Sequence, residues 1–414
     1  MTGVSGGSLG RDAGGATVQP ARRSVQATSY ASFMLIGWVS LLLPSLIRVV
    51  KGDFGQTDAG FGFLFLVSAV LYAAGGLGTG VLHDRFGRRA ILATAAALIA
   101  AGLVIEGLAP TWPILLVGVG IAGAGSGAID GGVNGLFMDL YPEGGGGQLS
   151  GLHLFYGIGA MVAPPIVGWL VISGADWRYV VAGTGIVALG YVLPLRAAGS
   201  AADTRHRLPP SGGARDPLDH RLPLAALAVA IGCYVASELA VSSWMVGYLS
   251  DETLGLAAIA LGAFWAGLAA GRLAAVRYAD RFDPVTLAST GAAVCGAALA
   301  VMVVTHGGAL TIALVAIAGF ASGPVYPLIM AIGGRLYPGR AARVSGLLTA
   351  AGVVGSIVYP PLMGFVSPYV GLGAGMAGAA VLAAASAVAI RVARRLAAGA
   401  SAAAEDDRRG RPRH

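Results

Sequence analysis

Long apolar runs recur along this chain and constrain its fold more than any other feature of the sequence. Runs of about 20 residues, the length that crosses a ~30 Å hydrocarbon core as a helix, repeat from Tyr30 into the 390s. Only 11% of the residues are charged, whereas soluble domains average about 25%. The sequence therefore predicts a polytopic membrane protein.

Hydropathy divides the chain into twelve membrane spans. Because unpaired backbone polar groups are costly in lipid, spanning segments are either helices or closed barrels. These runs are longer and more continuously apolar than the ~10-residue alternating strands of a barrel. We predict an all-α membrane protein of twelve transmembrane helices, at 28–50, 59–82, 90–109, 112–138, 148–173, 178–196, 222–249, 255–277, 285–305, 308–332, 343–366 and 371–396.

The second half of the chain repeats the first. Residues 122–142 and 318–338 align without a gap at an offset of 196 (318 minus 122), with seven of 21 positions identical. The loop sequence DRF at residues 84–86 returns at 280–282, at the same offset. Two six-span halves repeated in one orientation predict two pseudo-symmetric six-helix bundles, related by an axis along the membrane normal.

Polar segments flank and join these halves. Gly, Ser and Ala dominate residues 1–27, which predicts a disordered cytoplasmic tail, and Pro, Gly and Arg accumulate in residues 198–221, which predicts a linker. The predicted domains are a tail at 1–27, a first bundle at 28–197, a cytoplasmic linker at 198–221, a second bundle at 222–396 and a cytoplasmic tail at 397–414.

Arginines concentrate on one side of the predicted spans. With the N-terminus inside, the inner segments hold most of them, while the outer loops keep only Arg48, Lys51 and Arg178. The positive-inside rule then places both termini in the cytoplasm, and we expect the plasma (inner) membrane. Because topology accounts for the net charge of +7, we expect the lipid bilayer as a partner and no nucleic acid.

The loop after the second span, residues 80–89, reads GVLHDRFGRR. It resembles the loop signature of the major facilitator superfamily, G-x-L-x-D-R-x-G-R-[RK], in the loop where that family carries it. With the twelve spans and the half repeat, the resemblance covers nearly the whole chain. It implies gating roles for the loop and for an acid at the end of span four: Gly80, Asp84, Arg85, Gly87, Arg88 and Asp139.

Two contacts give these gating residues a mechanical role. Asp84 would cap the N-terminus of span eleven, which starts near Arg343, and the resemblance implies that Arg88 pairs with Asp139. Such contacts would hold the two halves together on the inside and break on inward opening. A plain basic loop explains the arginines, but it does not explain Asp84 or Gly87.

Three further segments are similar to the fucose-permease-like sugar:proton symporters. They are residues 130–134 (DGGVN), 149–159 (LSGLHLFYGIG) and 234–238 (YVASE) ahead of Trp244. The chain departs from the family at Ser40, where fucose permease itself has a coupling carboxylate. The resemblance implies transport of a sugar-like solute together with protons.

Asp130 is an intramembrane carboxylate whose counterpart in the repeat is Tyr326. Ionisable groups inside spans are costly and usually mark function, and Asn134, four residues on, shares the helix face. We predict that Asp130 couples protons and Asn134 binds substrate; the structural alternative is a hydrogen bond between helices. Glu238 is the second proton-coupling candidate, with a position near the interface as its alternative. Glu106, near the end of span three, is expected to be interfacial.

Polar and aromatic side chains in the same spans supply the substrate-binding candidates. A pyranose has an apolar face and a polar edge, so aromatic rings can stack on it, although aromatics at membrane interfaces need no ligand. For His153, an interhelical hydrogen bond at a helix end is the simpler explanation. The candidates are Asn134, His153, Tyr156, Tyr234, Trp244 and Tyr326.

These features predict a secondary active transporter, a monomer that moves a small polar, sugar-like solute with protons by alternating access. The sequence offers no nucleophile, metal set or phosphate loop, so we expect no enzyme activity, no cofactor and no bound metal. One alternative is proton-antiport efflux of drugs or metabolites, whose span-five signature residues 163–169 match only in part. Another is a membrane sensor or scaffold that does not transport.

Overall fold

Helices account for nearly all of the described backbone. A computed structural model describes residues 13–140, 146–201, 221–305, 307–337 and 340–410. Within them lie thirteen α-helices and a short 3₁₀ turn at Ala279–Arg281. The helices are α1 (Ala13–Phe54), α2 (Asp58–Phe86), α3 (Arg88–Leu108), α4 (Trp112–Leu140), α5 (Gly146–Ile172), α6 (Trp177–Leu189), α7 (Val192–Ala201), α8 (Arg221–Tyr248), α9 (Leu254–Tyr278), α10 (Pro284–Thr305), α11 (Gly308–Ser322), α12 (Val325–Leu336) and α13 (Ala341–Gly410).

These helices make twelve membrane spans. α6 and α7 together form one span, Trp177–Ala198, and α11 and α12 form another, Gly308–Leu336. α13 has 70 residues, which at a rise of ~1.5 Å each would exceed three thicknesses of a ~30 Å core. The helix breaks at Gly371, whose φ of 77° is readily adopted by glycine but disfavoured for other residues. The two parts of α13 are the last two spans. The predicted all-α fold of twelve transmembrane helices is confirmed.

The spans pack as two bundles, α1–α7 and α8–α13. In the first bundle α4 packs against α2 and α3, and α1 packs against α5; in the second α8 packs against α13, and α9 packs against α11. The bundles meet where α1 contacts α8, α2 contacts α13 and α5 contacts α9. A site shared by both bundles has to lie along these three helix pairs.

Successive spans run antiparallel, so the molecule has two distinct ends. The Gly87 end carries the turn between α2 and α3 and the first residues of α8. The Arg48 end carries the turns that follow α1 and α8. Contacts at these two ends decide from which side the space between the bundles can be entered.

Helix extends into both segments that the sequence analysis assigned to tails. α1 begins at Ala13 and α13 continues to Gly410, because low hydrophobicity does not prevent an Ala-rich segment such as residues 397–404 from continuing a helix. Residues 1–12 and 411–414 lie outside the described part of the chain, as do residues 202–220 of the predicted linker. The domain boundaries stay predictions.

Candidate solute and coupling site

Asp130 lies on the side of α4 that packs against α2. The two helices come into backbone contact at Gly127, where a Cβ would collide with the carbonyl oxygen of Tyr72. This approach lets Tyr72 form a side-chain hydrogen bond with the Asp130 carboxylate. Asn134 donates from Nδ2 to Asp130 Oδ1 at 2.8 Å and to the Asp130 backbone oxygen at 2.9 Å. Neutral donors therefore hold the carboxylate, and the ion pairs among described residues do not include it.

Asp130 is also within electrostatic range of residues at the boundary between the bundles. Its charge acts on Tyr156 of α5 and on Tyr326 of α12, which belongs to the second bundle. Tyr156 hydrogen-bonds Ser40 of α1, and its ring lies 5.7 Å, between centroids, from that of Trp265 on α9. Asp130 therefore lies near the interface where a shared site is expected.

Glu238 occupies a different compartment, inside the second bundle. The hydroxyl of Tyr234, one turn earlier on α8, donates to the Glu238 carboxylate. Both residues line a cavity of about 10 Å³ together with Ser237, Cys295 and Ser322, close to the space that one water molecule needs. The charge of Glu238 still acts on Tyr156 and Tyr326, so Glu238 is electrostatically linked to the interface that Asp130 faces.

His153 and Arg272 approach the interface from opposite bundles. His153 on α5 is exposed, and its ring packs edge-on against Phe33 with centroids 5.8 Å apart. Arg272, on α9, is partly buried, and its charge acts on His153, Tyr156, Tyr234 and Tyr326. An accessible imidazole and a guanidinium thus share one region with three tyrosines.

The remaining aromatic candidates separate into two places. The rings of Tyr234 and Tyr326 lie 6.4 Å apart, and Tyr326 hydrogen-bonds Thr349 of α13. Trp244, by contrast, is fully buried, and its indole N–H donates to the Pro360 carbonyl at 2.8 Å. Protein contacts thus occupy the Trp244 ring, and its assignment as a substrate ligand stays a prediction.

The loop at the Gly87 end is a one-residue turn. Gly87 joins α2 to α3 with a φ of 76°, and its N–H donates to the His83 carbonyl at 3.0 Å. A side chain is disfavoured at that φ, which explains this glycine of the signature. Gly80 is exposed, with open space where a Cβ would be, and Arg85 lies 5.4 Å over the ring of Phe86.

Arg88 and Asp139 form an ion pair, with Nη2 2.6 Å from Oδ2. Arg88 begins α3 and Asp139 lies near the end of α4, so both belong to the first bundle and this pair does not join the two halves. The expectation that it would is corrected for a simple reason: α3 and α4 form an antiparallel hairpin, which brings their ends together within one bundle. The Asp84 side chain lies outside the described part of the structure, and its predicted cap on span eleven stays a prediction.

At the Arg48 end the two bundles are joined directly. The guanidinium of Arg48, on α1, donates to three backbone oxygens at the end of α8, those of Val246 (Nε, 2.8 Å), Leu249 (Nη2) and Glu252 (Nη1, 2.7 Å). A helix C-terminus leaves carbonyls unpaired and favours a cation. Arg48 thus ties the first bundle to the second by capping a helix of the opposite half.

A second set of contacts reinforces this closure. Asp58 begins α2 and accepts a hydrogen bond of 2.8 Å from Ser367 Oγ of α13. The same carboxylate pairs with Lys51 near the end of α1. Two separate polar links therefore cross the interface at the Arg48 end.

A family model of the Major Facilitator Superfamily matches residues 28–360 and 222–412. This chain belongs to the major facilitator superfamily. The resemblance seen in the loop at residues 80–89 is thereby confirmed. The family and the fold are those of membrane transporters and not of enzymes.

Relatives and solved structures agree with this assignment. The mouse protein named Sodium-dependent glucose transporter 1A is 23% identical over 299 residues, which cover 62% of this chain and 69% of that protein. An inward-facing, occupied structure of a bacterial homologue of the human lysosomal transporter Spinster matches with a TM-score of 0.71 at 17% identity, over 92% of this chain and 97% of that chain. The E. coli fucose:proton symporter FucP matches with a TM-score of 0.59 at 20% identity, over 88% and 98%.

Sequence reasoning missed three residues of this superfamily member that the structure brings forward: Tyr72, Arg48 and Arg272. For Arg272 a signal was present, since it is a charge inside an apolar span and its counterpart in the repeat is Gly76 (272 minus 196). The same asymmetry had identified Asp130. For Tyr72 and Arg48 no such signal exists, because their roles depend on which helices pack together.

Proposed function

We propose that this chain is a secondary active transporter that moves a small polar, sugar-like solute and couples its movement to protons through Asp130. The observation that carries the proposal is the position of that carboxylate. Asp130 is held by Tyr72 and Asn134 and lies within electrostatic range of Tyr326 in the other bundle. A carboxylate held by neutral donors can accept a proton without breaking an ion pair.

The solute class rests on the chemistry of the side chains near the interface. Three tyrosines and His153 offer hydroxyl, imidazole and aromatic surface in one region, which suits the polar edge and apolar face of a sugar ring. The names of two matched proteins, a glucose transporter of mouse and a fucose:proton symporter of E. coli, agree with this class. We assign substrate contacts to Asn134, Tyr156, Tyr234 and Tyr326, and proton contacts to Asp130 with Glu238 as the second carboxylate.

Alternating access is the mechanism that we infer from the two ends. Arg48 and Asp58 link the bundles at the Arg48 end, whereas the Arg88–Asp139 pair at the Gly87 end stays within one bundle. This pattern supports a conformation that is closed at the Arg48 end. In the plasma membrane, with the arginine-rich loops in the cytoplasm, that conformation would be open to the cytoplasm. The transporter would function as a monomer.

Proton coupling is tested by replacing Asp130 with Asn in proteoliposomes. We expect solute-driven proton flux to disappear while exchange of labelled solute continues, because Asn134 and the tyrosines stay in place. The matched control is Glu106→Gln, another intramembrane carboxylate of the first bundle, which should leave proton flux unchanged. Proton flux that persists in Asp130→Asn, or a solute gradient driven by sodium alone, would remove the coupling assignment.

A further inference from the structure

Arg272 is a charge inside a membrane-spanning helix that the coupling mechanism does not use. It lies six residues before the end of α9 at Tyr278, about 9 Å from that end at a rise of ~1.5 Å per residue. Its neighbours toward the Arg48 end, Trp265 to Gly271, are apolar. A cation in such a position is costly and calls for a partner.

Among the described residues, Arg272 has one long hydrogen bond and no ion pair. The described hydrogen bond of Arg272 runs from Nε to the Gly323 carbonyl and is long, at 3.4 Å. Ion pairs among the described residues include Arg88, Arg178 and Arg394 but not Arg272. Among the described residues the edge of the guanidinium that carries Nη1 and Nη2 has no hydrogen-bond or ion-pair partner, so it is available for an oxyanion.

The two carboxylates of the site, Asp130 and Glu238, are hydrogen-bonded to residues other than Arg272. Asp130 is held by Tyr72 and Asn134. Glu238 accepts the hydroxyl of Tyr234 inside the second bundle. Neither carboxylate is therefore ion-paired with Arg272 among the described residues.

The residues near Arg272 belong to both bundles. Its charge acts on His153 and Tyr156 of the first bundle and on Tyr234 and Tyr326 of the second. His153 is exposed and Arg272 is partly exposed. A ligand that contacted Arg272 would touch the side chains proposed above to bind solute hydroxyls.

We propose that Arg272 binds the anionic group of the transported solute, so that the solute is a hydroxylated carboxylate of the sugar-acid type. A guanidinium matches a carboxylate through two parallel N–H···O bonds, and the tyrosines and His153 engage the hydroxyls. Transport of this anion rests on the proposed function. Binding of the anion to Arg272 does not depend on it.

Three ligands with the same pyranose ring separate the possibilities: glucose, glucuronate and sulfoquinovose, which carry CH₂OH, carboxylate and sulfonate at carbon 6. Binding to the purified full chain is measured by calorimetry. We expect glucuronate to bind about 10- to 100-fold more tightly than glucose, the range of a charge-assisted hydrogen-bonded pair. Arg272→Gln should abolish that preference while glucose affinity stays within about threefold, and Arg272→Lys should retain part of it because its ammonium lacks the planar fork.

Arg277→Gln is the matched control, since Arg277 is an exposed arginine on the same helix, and it should keep the full preference. Equal or weaker binding of glucuronate than of glucose to the native chain would overturn the proposal, as would a preference that survives in Arg272→Gln. Tighter binding of sulfoquinovose than of glucuronate would overturn the assignment of a carboxylate and identify the anionic group of the solute as a sulfonate. Arg272-dependent binding without counterflow in proteoliposomes would sustain this site and overturn the transport function instead.

Discussion

Gly62 of α2 and Gly364 of α13 lie in backbone contact across the interface between the bundles. A Cβ on Gly364 would lie 2.7 Å from the Gly62 Cα, closer than real Cβ atoms approach other heavy atoms. The contact belongs to the Arg48 end, where the Asp58–Ser367 hydrogen bond, four residues from Gly62 and three from Gly364, also crosses the interface. Closure of this end therefore depends on the absence of two side chains as well as on polar links.

Gly364→Ala should open the Arg48 end, because the added methyl group cannot be placed without moving α13 away from α2. We expect spin labels at Gly52 and Tyr369, both exposed, to show a longer and broader distance distribution by double electron–electron resonance spectroscopy. Gly346→Ala on the same helix, where a Cβ meets open space, should leave the distribution unchanged. An unaltered distance in Gly364→Ala would mean that the glycine contact does not control this end.

Arg48→Gln should weaken the same closure by a different route. The substitution leaves carbonyls at the end of α8 without their donor, and three hydrogen bonds from a charged group to backbone are lost. We expect a loss of about 2–3 kcal/mol from the closed state, seen as a longer and broader distance distribution between spin labels at Gly52 and Tyr369 in a background without Cys233 and Cys295. Arg48→Lys should resemble Arg48→Gln, since one ammonium cannot reproduce the three-way contact; full rescue by Lys would contradict this account.

The Arg88–Asp139 pair should stabilise the first bundle alone. Arg88 has a side chain only 10% exposed, so Asp139→Asn leaves a largely buried guanidinium without its charge partner, at a cost of about 1–3 kcal/mol. A double-mutant cycle with Arg88→Gln, followed by unfolding in detergent, measures the coupling. Arg89→Gln is the control because Arg89 is exposed. Zero coupling energy would show that the pair contributes nothing to stability.

Asp283 predicts a pH dependence at the Gly87 end. Its carboxylate accepts from the Thr286 hydroxyl at 2.7 Å and from the Thr286 backbone N–H at 2.9 Å, and these bonds, with Arg394 contributing less, hold the pKa of Asp283 below its usual range. A carboxyl whose pKa is lower in the folded state contributes stability above its unfolded pKa, ~3.9, and loses it as pH falls through the folded value.

Melting temperatures of the native chain and of Asp283→Ala test this point. The difference should correspond to about 1 kcal/mol, the size of a helix N-cap, from pH 7 to 5 and should shrink below about pH 4 as the carboxyl protonates. Asp283→Asn keeps a capping side chain and should melt close to the native chain at pH 7. A difference that stays constant down to pH 3 would contradict the assignment.

Much of the architecture was predictable because hydropathy and spacing are local properties. The twelve spans, the half repeat and the contact between Asp130 and Asn134 all follow from residues that are near in sequence or related by the offset of 196. The loop signature likewise led to the family. Glu106 marks the limit of such reasoning: expected at the interface, it is 2% exposed and packs against Gly118 of α4, because the rotation of α3 about its axis is not encoded in span boundaries.

The sequence by itself determined the helices, their number, the duplication and the intramembrane acid, since each is encoded in neighbouring residues or in comparison of the halves. Only the tertiary structure decided that Tyr72 reaches Asp130, that Arg48 caps a helix of the opposite bundle and that Arg272 faces residues of both halves. The physical reason is that close helix approach through small residues such as Gly127 selects which faces meet. Those contacts join residues far apart in sequence, and no periodicity records them.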